Sequence, residues 1–307
     1  MKQIKIFSPA TIANLSCGFD VLGCCLDTIG DEMKVSLTDT PRISIEIING
    51  ANLPTDPEKN VAGVATKALL EHLGKNVGVH ITITKGIKAG SGIGSSAASS
   101  AGAVWAVNQI LGSPLKAKEL IPFAMEGERA ASGNAHADNV APALLGGFTL
   151  VRSYDPLEVI GLPSPADLYA TVIHPHIEIK TSDSRSVLKK NVTLEQAITQ
   201  WGNLGGLIAG LYTNDYGLIG RSLKDVIIEP LRSILIPAFK EVQYEAVIAG
   251  ALGCGISGSG PSIFALSKGR EIAHKVGQFM GEVYATTKLD YDIHISKINP
   301  EGIRVIP

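Results

Sequence analysis

The sequence predicts an α+β protein of two domains. The chain has 307 residues, 45% of them hydrophobic, which is enough to bury two cores of ordinary size. Strand-like and helix-like patterns both recur, but they do not alternate regularly along the chain as they would in a parallel α/β sheet. Two prolines and a glycine cluster in GLPSPAD at 161–167. We therefore expect domains at residues 1–163 and 164–307.

The individual elements follow from hydrophobic periodicity and from Gly and Pro positions. Alternating apolar and polar residues predict strands at 2–7, 32–37, 42–48, 78–84, 147–152, 168–174, 261–267 and 291–297. Helical patterns predict a helix from about Pro57 to Gly74, and further helices at 95–111, 115–131, 193–212, 236–249 and 270–285.

Composition excludes several classes of protein. The formal net charge is −2, and no run of Lys or Arg exceeds two residues, so a nucleic-acid partner is not expected. There is no apolar run of about 18 residues and no apolar signal-peptide core, so we expect no membrane span and a cytoplasmic location. The cysteines at 17, 24, 25 and 254 lack zinc-site spacing, and we expect buried thiols in a reducing compartment.

The stretch AGSGIGSSAASSAG at 89–102 contains no charge and no aromatic residue. Such small residues could simply let a helix pack tightly in a core. They could also form an anion cradle, because a glycine-rich turn before a helix directs backbone N–H groups and the helix dipole at a phosphate. The hydroxyls of Ser91, Ser95 and Ser96 would add donors.

Two common phosphate motifs fit this stretch poorly. A Walker A loop needs a lysine after its second glycine, and none is present here. The dinucleotide fingerprint matches as Gly92-x-Gly94-x-x-Ala97, but it also needs a second strand that ends in an acid about 20 residues later. Residues 112–131 instead predict a turn and a helix. The G-x-S-x-G elbow of hydrolases has no match.

A third motif fits better, because Gly92-Ile93-Gly94-Ser95-Ser96-Ala97-Ala98 resembles the phosphate loop of the GHMP kinase superfamily. The family often has a proline shortly before this loop, and here the residues are Lys85-Gly86-Ile87-Lys88. Further stretches resemble the homoserine kinase branch, in the same order along most of the chain. They are Pro9–Leu15 with Gly18-Phe19-Asp20, His136–Pro142 with Gly146-Gly147-Phe148, and Gly255–Ser262.

The resemblance implies ATP-dependent phosphorylation of L-homoserine, a step in threonine biosynthesis. We also expect a homodimer. It implies an N-terminal domain with a left-handed βαβ unit and a ferredoxin-like C-terminal domain. The implied nucleotide-binding residues are Lys88, Ala89, Gly90, Ser91, Gly92, Ile93, Gly94, Ser95, Ser96, Ala97, Ala98 and Gly258. The segment around Gly258 could alternatively be only a tight hairpin.

Phosphoryl transfer also needs Mg²⁺, which takes one or two protein oxygens in addition to phosphate oxygens. Glu126 and Glu128 lie two residues apart on a predicted helix, so they point in different directions. The resemblance favours Glu128 as the metal ligand, with Ser96 as the second. The alternative is that Glu128 lies on a solvated face and pairs with Arg129.

An amino-acid acceptor brings a carboxylate, which arginine binds with a planar fork. Arg185 and Arg232 match arginines that homoserine kinases use for this carboxylate. Without the resemblance, each would be interpreted as a surface arginine paired with a local acid, Asp183 or Glu229.

The ammonium and hydroxyl of the acceptor need other partners. We select Asp20 for the ammonium because it is an acid in apolar, turn-like surroundings, although it could equally cap a helix. Asn14 has an amide that can both donate to and accept from a hydroxyl, and it is a catalytic and substrate-binding candidate. The alternative for Asn14 is a plain turn residue.

His136, Asp138 and Asn139 fall in one short segment, and His136 and Asp138 share a face if it is extended. A His–Asp pair could act as a general base. The resemblance instead implies that Asp138 and Asn139 bind substrate and position its hydroxyl without a strong base. His136 is included as a substrate-binding residue, although a purely structural hydrogen bond is its main alternative.

Three other functions remain open from the residues alone. A related kinase could act on another alcohol, such as mevalonate or shikimate. A nucleotide-binding sensor or a decarboxylase could share the fold. A dinucleotide oxidoreductase would bind NAD(H) and would not respond to magnesium.

Overall fold

A computed structural model describes residues 2–50, 52–179 and 181–307 of the chain. Its strands, in chain order, are β1 (Gln3–Ala13), β2 (Leu22–Thr38), β3 (Ile43–Ile48), β4 (Gly78–Thr84), β5 (Phe148–Tyr154), β6 (Leu157–Leu162), β7 (Leu168–Pro175), β8 (Gly253–Ile256), β9 (Ile263–Lys268), β10 (Tyr291–Lys297) and β11 (Arg304–Val305). Its helices are α1 (Val61–His72), α2 (Ser95–Ile110), α3 (Ile121–Ser132), α4 (Val140–Leu145), α5 (Thr181–Ser186), α6 (Leu194–Thr213), α7 (Tyr216–Ser222), α8 (Glu229–Arg232), α9 (Phe239–Ile248) and α10 (Arg270–Ala285).

The first sheet is built around the long strand β2. The order is β11-β1-β2-β4-β3, and β5 pairs with β2 and with β6. The beginning of β2, Leu22–Cys24, pairs with β5, whereas its end, Glu32–Thr38, pairs with β4. β3 and β4 are parallel and α1 connects them, which gives one βαβ unit. Helices α1, α2 and α3 pack together against this sheet and bury its apolar face.

The second sheet has the antiparallel order β10-β7-β9-β8. β7, which comes first along the chain among the strands of this sheet, therefore lies in the middle of the sheet. From β7 the chain runs through helices to β8 and β9, and then through α10 to β10. This is the ferredoxin-like arrangement that the resemblance implied. Helices α9 and α10 cover the sheet with buried side chains that include Phe239, Val242 and Tyr284.

The α+β class is confirmed, and the differences from the predicted elements have local causes. β2 begins at Leu22, ten residues before the predicted strand at 32–37. Cys24, Cys25 and Leu26 are all fully buried, so both faces of this part of the strand are apolar and the alternation disappears. Seven further elements were missed, and each has seven residues or fewer, too few to show a clear period: β6, β8, β11, α4, α5, α7 and α8. All four cysteines are free and buried, as expected.

The chain passes from the first sheet to the second between β6 and β7, at residues 163–167. The last strand, β11, then returns to pair with β1 in the first sheet. The division into domains 1–163 and 164–307 stays a prediction.

Candidate active site

The glycine-rich loop connects β4 to α2, and its backbone needs glycine at three positions. Gly90, Gly92 and Gly94 have φ values of +72°, +82° and +71°, in the left-handed region that side chains disfavour. Gly94 precedes the first residue of α2 and offers no side-chain cap. The N–H groups of the first turn of α2 can therefore bind an anion at the positive end of the helix dipole.

The backbone of the second half of the chain packs directly on this loop. The Ser257 hydroxyl donates to the Gly92 carbonyl at 2.8 Å, and the Ser262 N–H donates to the Ser91 carbonyl at 3.2 Å. A Cβ at Gly92 would lie 2.5 Å from the carbonyl oxygen of Gly260. At Gly92 the small residue is therefore required by a protein contact, whether or not a phosphate binds nearby.

Lys88, a predicted nucleotide-binding residue, links the loop to the second sheet. Its Nζ lies 2.8 Å from Oδ2 of Asp292 on β10 and 2.8 Å from Nε2 of His176. His176 Nε2 also lies 2.9 Å from Asp292 Oδ2. The side chains of this cluster are partly exposed, so they form a polar contact between the two sheets at the edge of the loop.

The two glutamates of α3 point in different directions, as their spacing predicts. Glu126 is exposed and accepts from Arg129 Nε at 3.1 Å, whereas Glu128 is buried. The alternative pairing of Glu128 with Arg129 is therefore wrong. Burial raises the pKa of Glu128 to about 7, and a hydrogen bond from the Ser96 side chain opposes the shift. Oε1 of Glu128 has no hydrogen-bond partner within the described ranges.

Asp20 and Arg185 are 165 residues apart in the sequence and bind each other. Nη2 of Arg185 donates to Oδ1 and Oδ2 of Asp20 at 2.7 and 3.0 Å. Asp20 lies in a turn before β2, so the alternative that it caps a helix is wrong. Arg185 lies on α5.

Arg232 is buried beside this pair. It donates to the carbonyls of Ser184 and Gly258 at 2.9 and 3.2 Å. The Phe19 ring lies under both guanidiniums, 4.9 Å from Arg232 and 5.5 Å from Arg185. Burial and the nearby Arg185 charge lower the pKa of Arg232 to about 10, so it stays protonated at neutral pH. The paired-surface alternatives, with Asp183 and Glu229, do not hold for either arginine.

Asn14 lies between Asp20 and the loop that contains Gly258. Its Nδ2 donates to the Gly258 carbonyl at 2.8 Å, and its Oδ1 accepts from the Asp20 N–H at 3.0 Å. The backbone φ of Asn14 is +73°, so the residue is also part of a turn. The structure thus places Asn14 and Gly258 next to Asp20 and Arg232.

His136, Asp138 and Asn139 come from one segment but contact different partners. His136 Nδ1 lies 3.8 Å from Asp20 Oδ1, and burial lowers its pKa, with the arginine charges acting in the same direction. Asp138 is buried, and its pKa rises to about 7 because of burial and then the charges of Asp20 and Glu128. Asn139 accepts from the Thr11 hydroxyl at 2.7 Å. The alternative of a His136–Asp138 pair has no support, because His136 Nε2 and Asp138 Oδ1 have no hydrogen-bond partner among the described residues.

Unpaired polar atoms concentrate at these residues. Ten buried side-chain atoms have no hydrogen-bond partner in the described part of the chain, and five belong to Ser91, Glu128, His136, Asp138 and Arg185. Buried polar atoms are normally paired because leaving them unpaired costs free energy. Their concentration in the glycine loop, at Glu128 and around the Asp20–Arg185 pair indicates a site that is shaped for a polar ligand.

Four residues that contribute to the site were not predicted. The Phe19 ring lies under the guanidiniums of Arg185 and Arg232. The Tyr154 hydroxyl donates to the Asp20 carbonyl at 2.9 Å and accepts from the Ala137 N–H at 3.3 Å. Asp31 and Lys85 form a buried ion pair at the base of the glycine loop. Phe19 lies inside the GFD stretch, which was a usable signal, whereas nothing local marks the other residues.

The two sheets and the glycine loop that faces a buried glutamate define a small-molecule kinase of the GHMP class. Residues 60–147 match the family of GHMP kinases N terminal domains, and residues 207–286 match the GHMP kinases C terminal family. The homoserine kinase of Chloroherpeton thalassium is 47% identical over the whole of both chains. The crystal structure of homoserine kinase from Cytophaga hutchinsonii is 54% identical with a TM-score of 0.96, and covers 100% of this chain and 98% of that one. The chain belongs to the homoserine kinase family.

More distant structures share the fold alone. Mevalonate kinase of L. major is 15% identical, with a TM-score of 0.73 over 96% of each chain. Family membership removes the dinucleotide oxidoreductase alternative. Among the described residues, no helix combines the length and apolar character needed to cross a membrane.

Proposed function

We propose that this protein transfers the γ-phosphoryl group of ATP to the side-chain hydroxyl of L-homoserine, giving O-phospho-L-homoserine for threonine biosynthesis. One observation carries the proposal. Asp20, Arg185 and Arg232 meet at one end of the site, where they offer an acid and two guanidiniums. An acceptor with both an ammonium and a carboxylate matches this set of charges. A mevalonate- or shikimate-like acceptor has no ammonium that could bind Asp20 in place of Arg185.

Release of ADP with L-homoserine, mevalonate and shikimate tests this proposal directly. We expect turnover with L-homoserine and none above background with the two acids that lack an ammonium. Comparable turnover with mevalonate or shikimate would overturn the assignment of the acceptor. Binding of ATP without ADP release from any of the three would favour a nucleotide-binding protein that is not a kinase.

Mg²⁺ fits the residues around Glu128. The unpaired oxygen of the buried Glu128 carboxylate and the neighbouring Ser96 hydroxyl are two suitable oxygen ligands. No cluster of three or more His, Cys, Asp or Glu residues occurs in the described ranges, so phosphate and water oxygens would complete the shell. When bound, the ion would neutralise charge that develops on the phosphates. Glu128 and Ser96 would hold it against the first turn of α2.

The acceptor hydroxyl is positioned rather than strongly deprotonated in this proposal. Asn14 bonds to Gly258 and Asp20, and Asn139 bonds to Thr11 beside Gly94 of the glycine loop. His136 Nε2 and Asp138 Oδ1 have no hydrogen-bond partner among the described residues, so we assign no base to the His136–Asp138 pair. The hydroxyl attacks the γ-phosphate directly and loses its proton late or to the phosphate. Loose transition states of phosphoryl transfer make little demand on a base.

Asp138→Asn tests the role of this carboxyl. We expect kcat to fall by about tenfold or less, because general bases typically contribute about 10²–10⁴-fold and positioning contributes less. Burial raises the pKa of Asp138 to about 7, so the kcat of the wild type should show only a shallow acid limb around pH 7. A steep acid limb that disappears in a folded Asp138→Asn variant, with a loss of about 10³-fold, would identify Asp138 as a base.

The implied homodimer has support on the outer face of α6. Leu194, Ile198, Trp201 and Tyr212 are 56–69% exposed on a helix with one charged residue, Glu195. An apolar face without like charges can pack on a second copy of itself. Light scattering should report twice the 32.2 kDa chain mass for the wild type, and a single chain mass would contradict the dimer.

We place the protein in the cytoplasm, where four free thiols stay reduced.

A further inference from the structure

We infer that the buried ion pair Asp31–Lys85 positions the glycine loop for the nucleotide, a role that rests on the proposed ATP site. Asp31 lies on β2, and Lys85 directly follows β4. Their side chains are 0% and 4% exposed. The pair sits at the base of the loop and contacts both ends of residues 85–95.

Lys85 connects the beginning of the loop to its end. An ammonium has three N–H donors, and each has a partner here. Nζ donates to Oδ2 of Asp31, to the Ser95 carbonyl at 3.1 Å and to the Ser99 hydroxyl at 3.1 Å. Ser95 and Ser99 lie in the first turns of α2, whose N-terminus faces the proposed phosphate position. The lysine therefore fixes the distance between β4 and the start of α2.

Asp31 binds the first part of the loop through its backbone. Oδ1 accepts from the N–H groups of Gly86 and Ile87 at 3.0 and 3.1 Å. Oδ2 accepts from Lys85 and from the Ser99 hydroxyl at 3.3 Å. The Ser95 hydroxyl closes the ring by donating to the Ile87 carbonyl at 3.1 Å. Side chains therefore satisfy the backbone at both ends of the loop, whereas its centre carries the glycines.

This arrangement favours a binding role over plain stability. Two buried charges pay a large desolvation penalty, and apolar residues of similar volume often stabilise a fold equally well. An apolar pair could not hold two N–H groups and a carbonyl in fixed positions. The loop between them contains three left-handed glycines, whose backbone has more conformational freedom than that of other residues. Fixing its ends beforehand lowers the entropy cost of nucleotide binding.

The test compares Lys85→Met with a matched control on the same sheet. Lys5 pairs with Glu32 at 3.0 Å on the exposed side of β1 and β2, so Lys5→Met also removes a lysine from an ion pair. Calorimetry with Mg-ADP alone gives the nucleotide Kd, and thermal melting without nucleotide gives stability. We expect Lys85→Met to raise the Kd at least tenfold, with the KM for L-homoserine within twofold at saturating ATP. Lys5→Met should leave the Kd unchanged.

A Kd within twofold of wild type for folded Lys85→Met would overturn the inference, whatever its melting temperature. If Lys85→Met does not fold, Ser99→Ala is the second variant, because it removes one hydroxyl that joins Lys85 to Asp31. We expect a roughly threefold rise in Kd for Ser99→Ala, and an unchanged value would reject the positioning role. Mg-ADP binding needs no acceptor, so these results are independent of the acceptor assay. Failure of the wild type to bind Mg-ADP would count against the proposed function instead.

Discussion

Glu128→Gln is expected to reduce ADP production from ATP and L-homoserine by about 10²–10³-fold while stabilising the protein at pH 8. The loss of activity follows from losing the carboxylate that would hold the metal against the phosphates. The gain in stability follows from the burial of Glu128, whose Oε1 has no partner in the described part of the chain. Opposite effects on activity and stability are typical of a side chain kept for function.

The pH dependence fixes the sign of the stability effect. The pKa of Glu128 rises from 4.5 to about 7 in the folded protein because burial disfavours the charged form. Between these two values the folded state holds more protons than the unfolded state, so its stability falls as the pH rises. The penalty is absent below the unfolded pKa and complete above the folded pKa. There it amounts to about 3 kcal/mol, by the order-of-magnitude conversion of 1.4 kcal/mol for each pKa unit.

Urea unfolding of metal-free protein at pH 4.5 and pH 8 checks this expectation. The glutamine variant should match the wild type at the lower pH and exceed it at pH 8, because glutamine carries no charge at either pH. Glu126→Gln is the matched control, since Glu126 lies on the same helix and pairs with Arg129 in solvent. It should change neither activity nor stability by more than about 0.5 kcal/mol. Retained activity in Glu128→Gln would remove this residue from the proposed metal site.

Local patterns predicted the features whose causes are local. The glycine loop was evident because a strand, a turn and a helix start adjoin in the sequence. The different directions of Glu126 and Glu128 follow from helix geometry alone. The first half of β2 was missed because Cys24 and Cys25 are buried on both faces, and a strand without an exposed face shows no alternation.

The contacts between distant residues could not be predicted from the sequence pattern. Asp31 and Lys85 are 54 residues apart, and their meeting depends on β2 and β4 being neighbours in the sheet. Asp20 and Arg185 come from opposite halves of the chain. The resemblance implied Arg185 as a carboxylate ligand, and the apolar surroundings of Asp20 led us to select it for the ammonium. Their direct contact with each other depends on how the two sheets pack.

That contact leads to the second large expected effect. Asp20 and Arg185 neutralise each other. If the ammonium of the acceptor binds Asp20 and its carboxylate binds Arg185, the ion pair between Asp20 and Arg185 is replaced by two ion pairs with the acceptor. Removing one partner leaves the other charge without compensation in a partly buried site. We expect Asp20→Asn and Arg185→Met each to raise the KM for L-homoserine by about 10²-fold, since a hydrogen bond to a charged group contributes about 1.5–3 kcal/mol.

A double-mutant cycle distinguishes coupled contributions of Asp20 and Arg185 to L-homoserine binding from independent ones. If Asp20 and Arg185 act together, the double variant should bind L-homoserine about as weakly as each single variant, because the second substitution removes a charge that was already uncompensated. Independent contacts would multiply to about 10⁴-fold in the same measurement. The KM for ATP should stay within twofold throughout, because both residues lie at the proposed acceptor end of the site. Glu158→Gln, which breaks the exposed pair with Arg152 between β5 and β6, provides the control and should leave both KM values unchanged. A full multiplicative loss would show that Asp20 and Arg185 bind separate groups of the acceptor without competing for each other.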